Sequence, residues 1–502
     1  TLNLPELITW SAGSLAVPAD ATINLPELLT LNFVTVALSS STSAFVTPLL
    51  TNADHSRFLL SGGATYTLPV STYTATYLPT SAVLFQADGA GTVLSVPNLT
   101  TLTDNFERFA FASTHTVEAT RGGVIEFPSL SDVEGPAQSD ETLRFVESGG
   151  GTIDLSALTT TTGGSVQFST DRSNYTLAAL TTLGNGRFEI PEAATLNLPE
   201  LITWSAGSLA VPTDGTANLP SLTTFSGSIA NSGQLDFGSG PAVVQVTGTF
   251  SQTSNGELRL YFAEDDPESI DRLLVSGLAS LDGTLRVTVT DEFSPTVGSE
   301  FEIVAYGTRS GEFASITGNV LANGNILQPD YRDGGLFLVV TAALRTDSIA
   351  RTLTSAGPLS ADQVSPVLRA ASSAVLRQRE SPGESTNVTV HVTDLPGDLL
   401  AVSGGSTIWL DANGAGHGWF VDSTPDENAE FELINGELRA TQIDADQRID
   451  LLTVLAHEFG HLLGREHDDH GLMQDSLMRG VRRLPSSEID SIFTELATIL
   501  DE

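Results

Sequence analysis

"TLNLPELITWSAGSLAVP" occupies Thr1–Pro18 and recurs unchanged at Thr195–Pro212. An identical copy so far along the chain marks internal repetition, which has to be recognised before any local structure is assigned. Weaker copies of the same apolar-Pro-x-Leu-Thr-Thr-apolar unit are "LPELLTL" at Leu25, "VPNLTTL" at Val96, "FPSLSDV" at Phe127, "LSALTTT" at Leu155, "LAALTTL" at Leu177 and "LPSLTTF" at Leu219. With degenerate copies near Thr47 and Leu68 included, successive spacings run 21, 22, 21, 28, 31, 28, 22, 21 and 21 residues. Each unit holds two short alternating runs, such as "ATLNLPEL" and "GSLAVP", punctuated by Gly, Asp, Ser and Pro. That is strand-and-turn chemistry, rich in Thr, Leu and Val.

A unit this short cannot bury its own apolar face, so neighbouring units must stack. The expectation for residues 1–233 is an all-β parallel β-solenoid with coils of about 21 residues. A leucine-rich horseshoe is the alternative, but the helical side of such a repeat is missing. At ~4.8 Å between stacked strands, ten coils would make a rod on the order of 50 Å long, suited to a stalk. His55 and His115 have no partner pattern here and are expected at the surface. From 234 to 345 the repeat dissolves while alternation continues in "AVVQVTGTF", "GELRLYF", "GTLRVTVT" and "GLFLVVTA", which predicts further β-structure continuing or capping the solenoid.

Composition narrows the function classes. The 502 residues carry 61 acidic and 22 basic side chains, all 22 of them Arg, for a net charge of −39. Such a surface repels phosphate, which argues against nucleic acid and anionic membranes as partners. It fits solubility, cation binding and an extracellular or cell-surface setting. There is no Cys, so disulfides, thiolate ligands and a Cys nucleophile are excluded, as is latency through the chain's own thiol. No run of ~20 apolar residues predicts a membrane span. No signal peptide is visible, and the chain opens inside a repeat, as a fragment of something longer would.

The character of the sequence changes near Leu353. After a linker at 346–354, residues 355–502 are expected to form an α+β domain. Val364, Val367, Leu368, Ala371 and Val375 fall at helical spacing, strands follow at "NVTVHVTD" and "STIWLDANG", and "PSSEIDSIFTELATILDE" predicts a last helix. Between them lies "AHEFGHLLGREHDDHGLM", Ala456–Met473, with four of the eight histidines. On a helix, His457 and His461 project from one face and can ligate one small cation. Glu458 stands beside that cation without ligating it, as a general base acting on a metal-activated water must. Gly464 can end the helix with a positive φ and return His467 as third ligand. Three neutral imidazoles leave a fourth position open, the pattern of a catalytic Zn2+ site.

His-Glu-x-x-His-x-x-Gly-x-x-His fixes five positions in eleven, and Met473 follows as a turn methionine. On these residues, Leu353–Pro485 resembles the matrixin-type metzincin zinc peptidases, especially bacterial versions with segments like "TIWLDANGAGHGWFVD" and "GVRRLP". The resemblance implies a zinc endopeptidase acting on protein or peptide substrates, with a twisted sheet over the zinc helix. It also implies an edge strand that pairs with extended substrate, for which Ser406–Asp411, with Ile408, Trp409 and Leu410, is the candidate. Matrixins often hold structural Ca2+, and Asp411, Asp422 and Asp426 are the candidate ligands here. His417 reads as a loop residue, and His470 as lying just behind the ligands or merely exposed. Relatives with a zinc-reaching Tyr after the turn Met are excluded as guides, because Gln474 and Asp475 stand there and no Tyr follows Tyr331. The competing expectations are a surface adhesion or structural repeat protein with a vestigial or self-processing peptidase domain, and a metal-dependent hydrolase of non-peptide substrates. In the first of these the repeats would engage a cell-surface or matrix partner.

Overall fold

The computed structural model describes residues 1–76, 81–104, 113–138, 141–322, 325–347, 359–376, 388–395, 397–404, 407–434, 437–465, 467–468 and 470–485. The chain forms two compact units. The first comprises Thr1–Phe293 with Glu302–Gly318 and Tyr331–Leu336; the second comprises Ser294–Phe301, Asn319–Asp330 and Phe337–Glu502.

The first unit is built of parallel ladders. Leu2 pairs with Ile23, Ile23 with Phe45, Tyr66 with Leu94, Leu94 with Ile125 and Ile125 with Ile153. These partners stand 21, 22, 28, 31 and 28 residues apart, the spacings of the sequence repeat. Successive side chains of a strand point to opposite faces, so the apolar residue of each Thr-x-Thr or Thr-x-Asn triplet turns inward onto its equivalents above and below. Register-paired Phe145, Phe168 and Phe188 stack at 5.4 and 5.1 Å, and Trp204 and Phe225 continue the column. Outside, Asn174, Asn197 and Asn218 hydrogen-bond one to the next as a ladder of their own. Parallel pairing continues beyond residue 234, from Leu235 to Leu258 to Leu285 to Ile316. His115, expected at the surface, is fully buried, with Nδ1 2.5 Å from Asp104. A strand's inward positions admit a polar side chain when a second one satisfies it.

The second unit is α+β. Its sheet takes in the end of β1 (Gly335–Arg345), β2 (Thr389–Thr393), β3 (Leu399–Gly404) and β4 (Thr407–Asp411). β3 pairs antiparallel with β1 and β4, and β4 pairs in parallel with β2, so the order is β1-β3-β4-β2. Helix α1 (Ala361–Leu376) opens on Ser360, whose N–H and hydroxyl both donate to the Gln363 side chain. Val364, Val367, Ala371 and Val375 of α1 are buried with residues of α2 (Leu451–Leu462), β3 and β4 in one core. The helix expected at the chain's end lies outside the described residues, as does most of the linker at 346–354. Among the described residues no helix is long and apolar enough to cross a membrane.

Candidate metal centre

α2 begins where Asp450 can cap it. The Asp450 carboxylate accepts from the Thr453 N–H and hydroxyl, and behind it stands Arg482, fully buried, which donates to both Asp450 oxygens. The helix is buried from Leu451 to Gly460, because "LLTVLA" is apolar on every face and sits between the sheet and α1. Its ending is a Schellman motif: Gly464 N–H donates to His461 C=O and Arg465 N–H to Gly460 C=O. Gly464 takes φ +81°, the left-handed conformation that only Gly adopts without strain.

That ending positions and tautomerises the histidines. His461 Nδ1 lies 2.7 Å from the Arg465 carbonyl, and His457 Nδ1 lies 2.7 Å from the Leu472 carbonyl. A carbonyl only accepts, so each Nδ1 carries the proton and each Nε2 presents a lone pair. The two Nε2 atoms face each other at 3.0 Å. Burial pushes both imidazoles away from protonation, His457 well below its usual value and His461 to about 4, so at neutral pH no proton lies between them. Two lone pairs this close repel, and a cation relieves the repulsion. His467 comes round the turn with its ring 5.2 Å from that of His457 and 4.6 Å from that of His461. One nitrogen from each of the three lies within 4.8 Å of the others. In a tetrahedral zinc site with Zn–N of ~2.0–2.1 Å, ligand nitrogens stand ~3.3 Å apart, so the donor set fits.

Glu458 is wholly buried, and the polar group that acts on its carboxylate is the Ser403 hydroxyl. Burial raises its carboxyl to about 8, against a smaller opposite pull from the Ser403 hydroxyl on β3. Met473 lies under the helix: a Cβ added at Gly460 would sit 2.6 Å from its Sδ. Its carbonyl accepts from the Asp468 N–H, which closes the loop carrying His467.

The remaining candidates fall elsewhere. Ser406–Asp411 is not an edge: Ser406 lies outside the described residues, and β4 is hydrogen-bonded on both sides, with Ile408, Trp409 and Leu410 buried. Three consecutive apolar residues report a strand covered on both faces, which says nothing of its lateral neighbours. The strand that meets the metal centre is β3, whose Ser403 influences Glu458. Asp411, Asp422 and Asp426 do not gather either; among the described residues the three histidines are the one group with metal-ligand spacing. Asp411 organises its loop by accepting from the N–H groups of Leu395, Asn413 and Ala415. Asp422 is paired with Arg482 at 2.8 Å, and Asp426 is exposed. His417 is buried in its loop and His470 is exposed. Ser403 carried no signal in the sequence, since a Ser in an apolar strand shows nothing until the fold brings it to the helix; Arg482 stood in the "GVRRLP" segment with no role assigned to it.

No protein-family model matches the chain, and no curated protein matches it.

Proposed function

We propose that the C-terminal unit is a zinc-dependent endopeptidase and that the repeat region, read as a parallel β-solenoid with limits near 233 and 345, presents it outside the cell. The observation that carries this reading is the facing of the His457 and His461 Nε2 atoms at 3.0 Å, with His467 beside them and the buried Glu458 next in sequence. Zn2+ held by His457, His461 and His467 would supply Lewis-acid activation of a water and of the substrate carbonyl, and its charge would keep Glu458 ionised. The residues then have separable tasks. The Leu472 and Arg465 carbonyls fix two imidazoles as Nδ1–H tautomers, leaving Nε2 free to ligate. Glu458 takes the proton of the attacking water on a carboxylate oxygen and delivers it to the leaving amine nitrogen. Its burial excludes other proton donors from that carboxylate.

The full chain should bind one zinc and cleave an unfolded protein in a chelator-sensitive manner. Glu458→Ala should retain the zinc and lose at least ~100-fold in turnover, the usual contribution of a positioned general base. A variant that binds zinc and still cleaves at the parent rate would overturn the mechanism.

A further inference from the structure

The end of β1 is an extended segment held by main-chain hydrogen bonds on both sides. Ala342, Ala343 and Leu344 pair antiparallel with Ser403, Val402 and Ala401 of β3, the strand that packs on α2 through Leu400 and Ala401. On its other side the same segment meets the chain just past Met473, running parallel to it at Arg345 and Ser476. Arg345 N–H donates to the Asp475 carbonyl at 2.9 Å, and Leu477 N–H donates to the Arg345 carbonyl at 2.8 Å. Thr346 N–H donates to the Asp398 carbonyl, and the Ser476 hydroxyl donates to the Asp347 carboxylate at 2.6 Å. Main-chain pairing on both sides of an extended strand, with one side chain in a pocket, is how proteins recognise peptides by strand addition.

The side chains divide at one bond. Leu344 is buried in the cluster that contains Phe459 of α2 with Leu472, Met473 and Leu477. Ala343 belongs to the opposite cluster, with Leu399, Val402 and Trp409. The Ala343–Leu344 peptide therefore lies between the Ala342–Ser403 register pair and Arg345, whose N–H and C=O are both held by the loop after Met473.

We propose that the chain is its own first substrate, and that its metal-loaded form hydrolyses the Ala343–Leu344 bond; this rests on the peptidase reading above. One water is consumed. Its oxygen forms the new bond to the Ala343 carbonyl carbon, the bond from that carbon to the Leu344 nitrogen breaks, and the proton travels through Glu458 to that nitrogen. The products are a carboxylate at Ala343 and an amino terminus at Leu344. Until that cut is made, the strand fills the track that another peptide would use.

The test uses the full chain, prepared metal-free, then given zinc together with an unfolded protein as external substrate. Intact mass and amino-terminal sequencing should show a new terminus at Leu344, formed at a rate independent of chain concentration and absent in Glu458→Gln. External cleavage should show a lag that matches this cut. Leu344→Ala should slow the cut roughly tenfold or more, as loss of an apolar anchor from a pocket does. In metal-free chain, trypsin should cut after Arg345 more slowly than after Arg121, which stands in an exposed turn, and Leu344→Asp should remove that protection. External cleavage with Ala343–Leu344 left intact, a cut at another bond, or a rate that rises with chain concentration would overturn the self-cleavage and leave the peptidase reading standing. Absence of both cleavages would sink both. Rapid tryptic cutting after Arg345 in the metal-free parent would show that the strand is not held.

Discussion

Gly464 has no atom within 4 Å of the place a Cβ would occupy, so its substitution meets no steric obstacle. What it meets is the backbone, which at φ +81° disfavours an L side chain by roughly 1–2 kcal/mol. That conformation lets Arg465 N–H reach Gly460 and lets the Arg465 carbonyl hold His461 Nδ1, before the chain turns back to His467. Gly464→Ala should therefore weaken zinc binding by about tenfold, the equivalent of 1.4 kcal/mol, in a competitive chelator titration. Gly464→Asn, which tolerates the left-handed region better, should recover most of the loss. Equal affinities for all three chains would mean that the turn does not place the third histidine. The residue types and spacings of this site were legible in the sequence alone, because ligand geometry on a helix and the conformation of a turn are local properties. The pairing of two Nε2 atoms and the burial of Glu458 were not, since both depend on carbonyls and strands distant in sequence.

At the scale of elements, α2 is held at its beginning by a charged cluster that packing alone would not suggest. Arg482 is fully buried, bonds both Asp450 oxygens, pairs with Asp422 and lies over the Phe431 ring at 4.2 Å. Its partners keep the guanidinium charged despite the burial. Arg482→Met fills similar volume but leaves two buried carboxylates without their cation, which should destabilise the C-terminal unit by about 3–5 kcal/mol. Chemical unfolding followed in the zinc-bound chain should show this as a lower midpoint. Adding Asp422→Asn and Asp450→Asn should restore part of the loss, because neutral amides tolerate the site better than unpaired charges. An unchanged midpoint in the single variant would mean that water reaches the cluster. Element identity was mostly legible: α1 announces itself by apolar spacing and α2 by the spacing of its histidines. The neighbours of a strand were not. "TIWLD" was expected at an edge, yet it is hydrogen-bonded on both sides, between β2 and β3. Strand order is fixed by pairings between residues far apart, on which a single strand's composition is nearly silent.

At the scale of the whole molecule, the spacing of the repeats passed directly into register, from 21 to 31 residues, because parallel strands that stack equivalent apolar positions have few other ways to bury them. Leu196 is 0% exposed, seated on Tyr175 on one side and Ala217 on the other. Ile202, six residues further along the same repeat, is 48% exposed. If burial between neighbouring strands is what stabilises the unit, Leu196→Ala should cost about 2–5 kcal/mol, the usual range for a buried leucine. Ile202→Ala should then cost under about 1 kcal/mol, as substitutions at exposed positions do. Equilibrium unfolding in urea of both variants, read through their midpoints, measures the difference. Equal losses would assign the stability to the local propensity of the eighteen-residue unit, and a repeat array stabilised in that way would not need its neighbours.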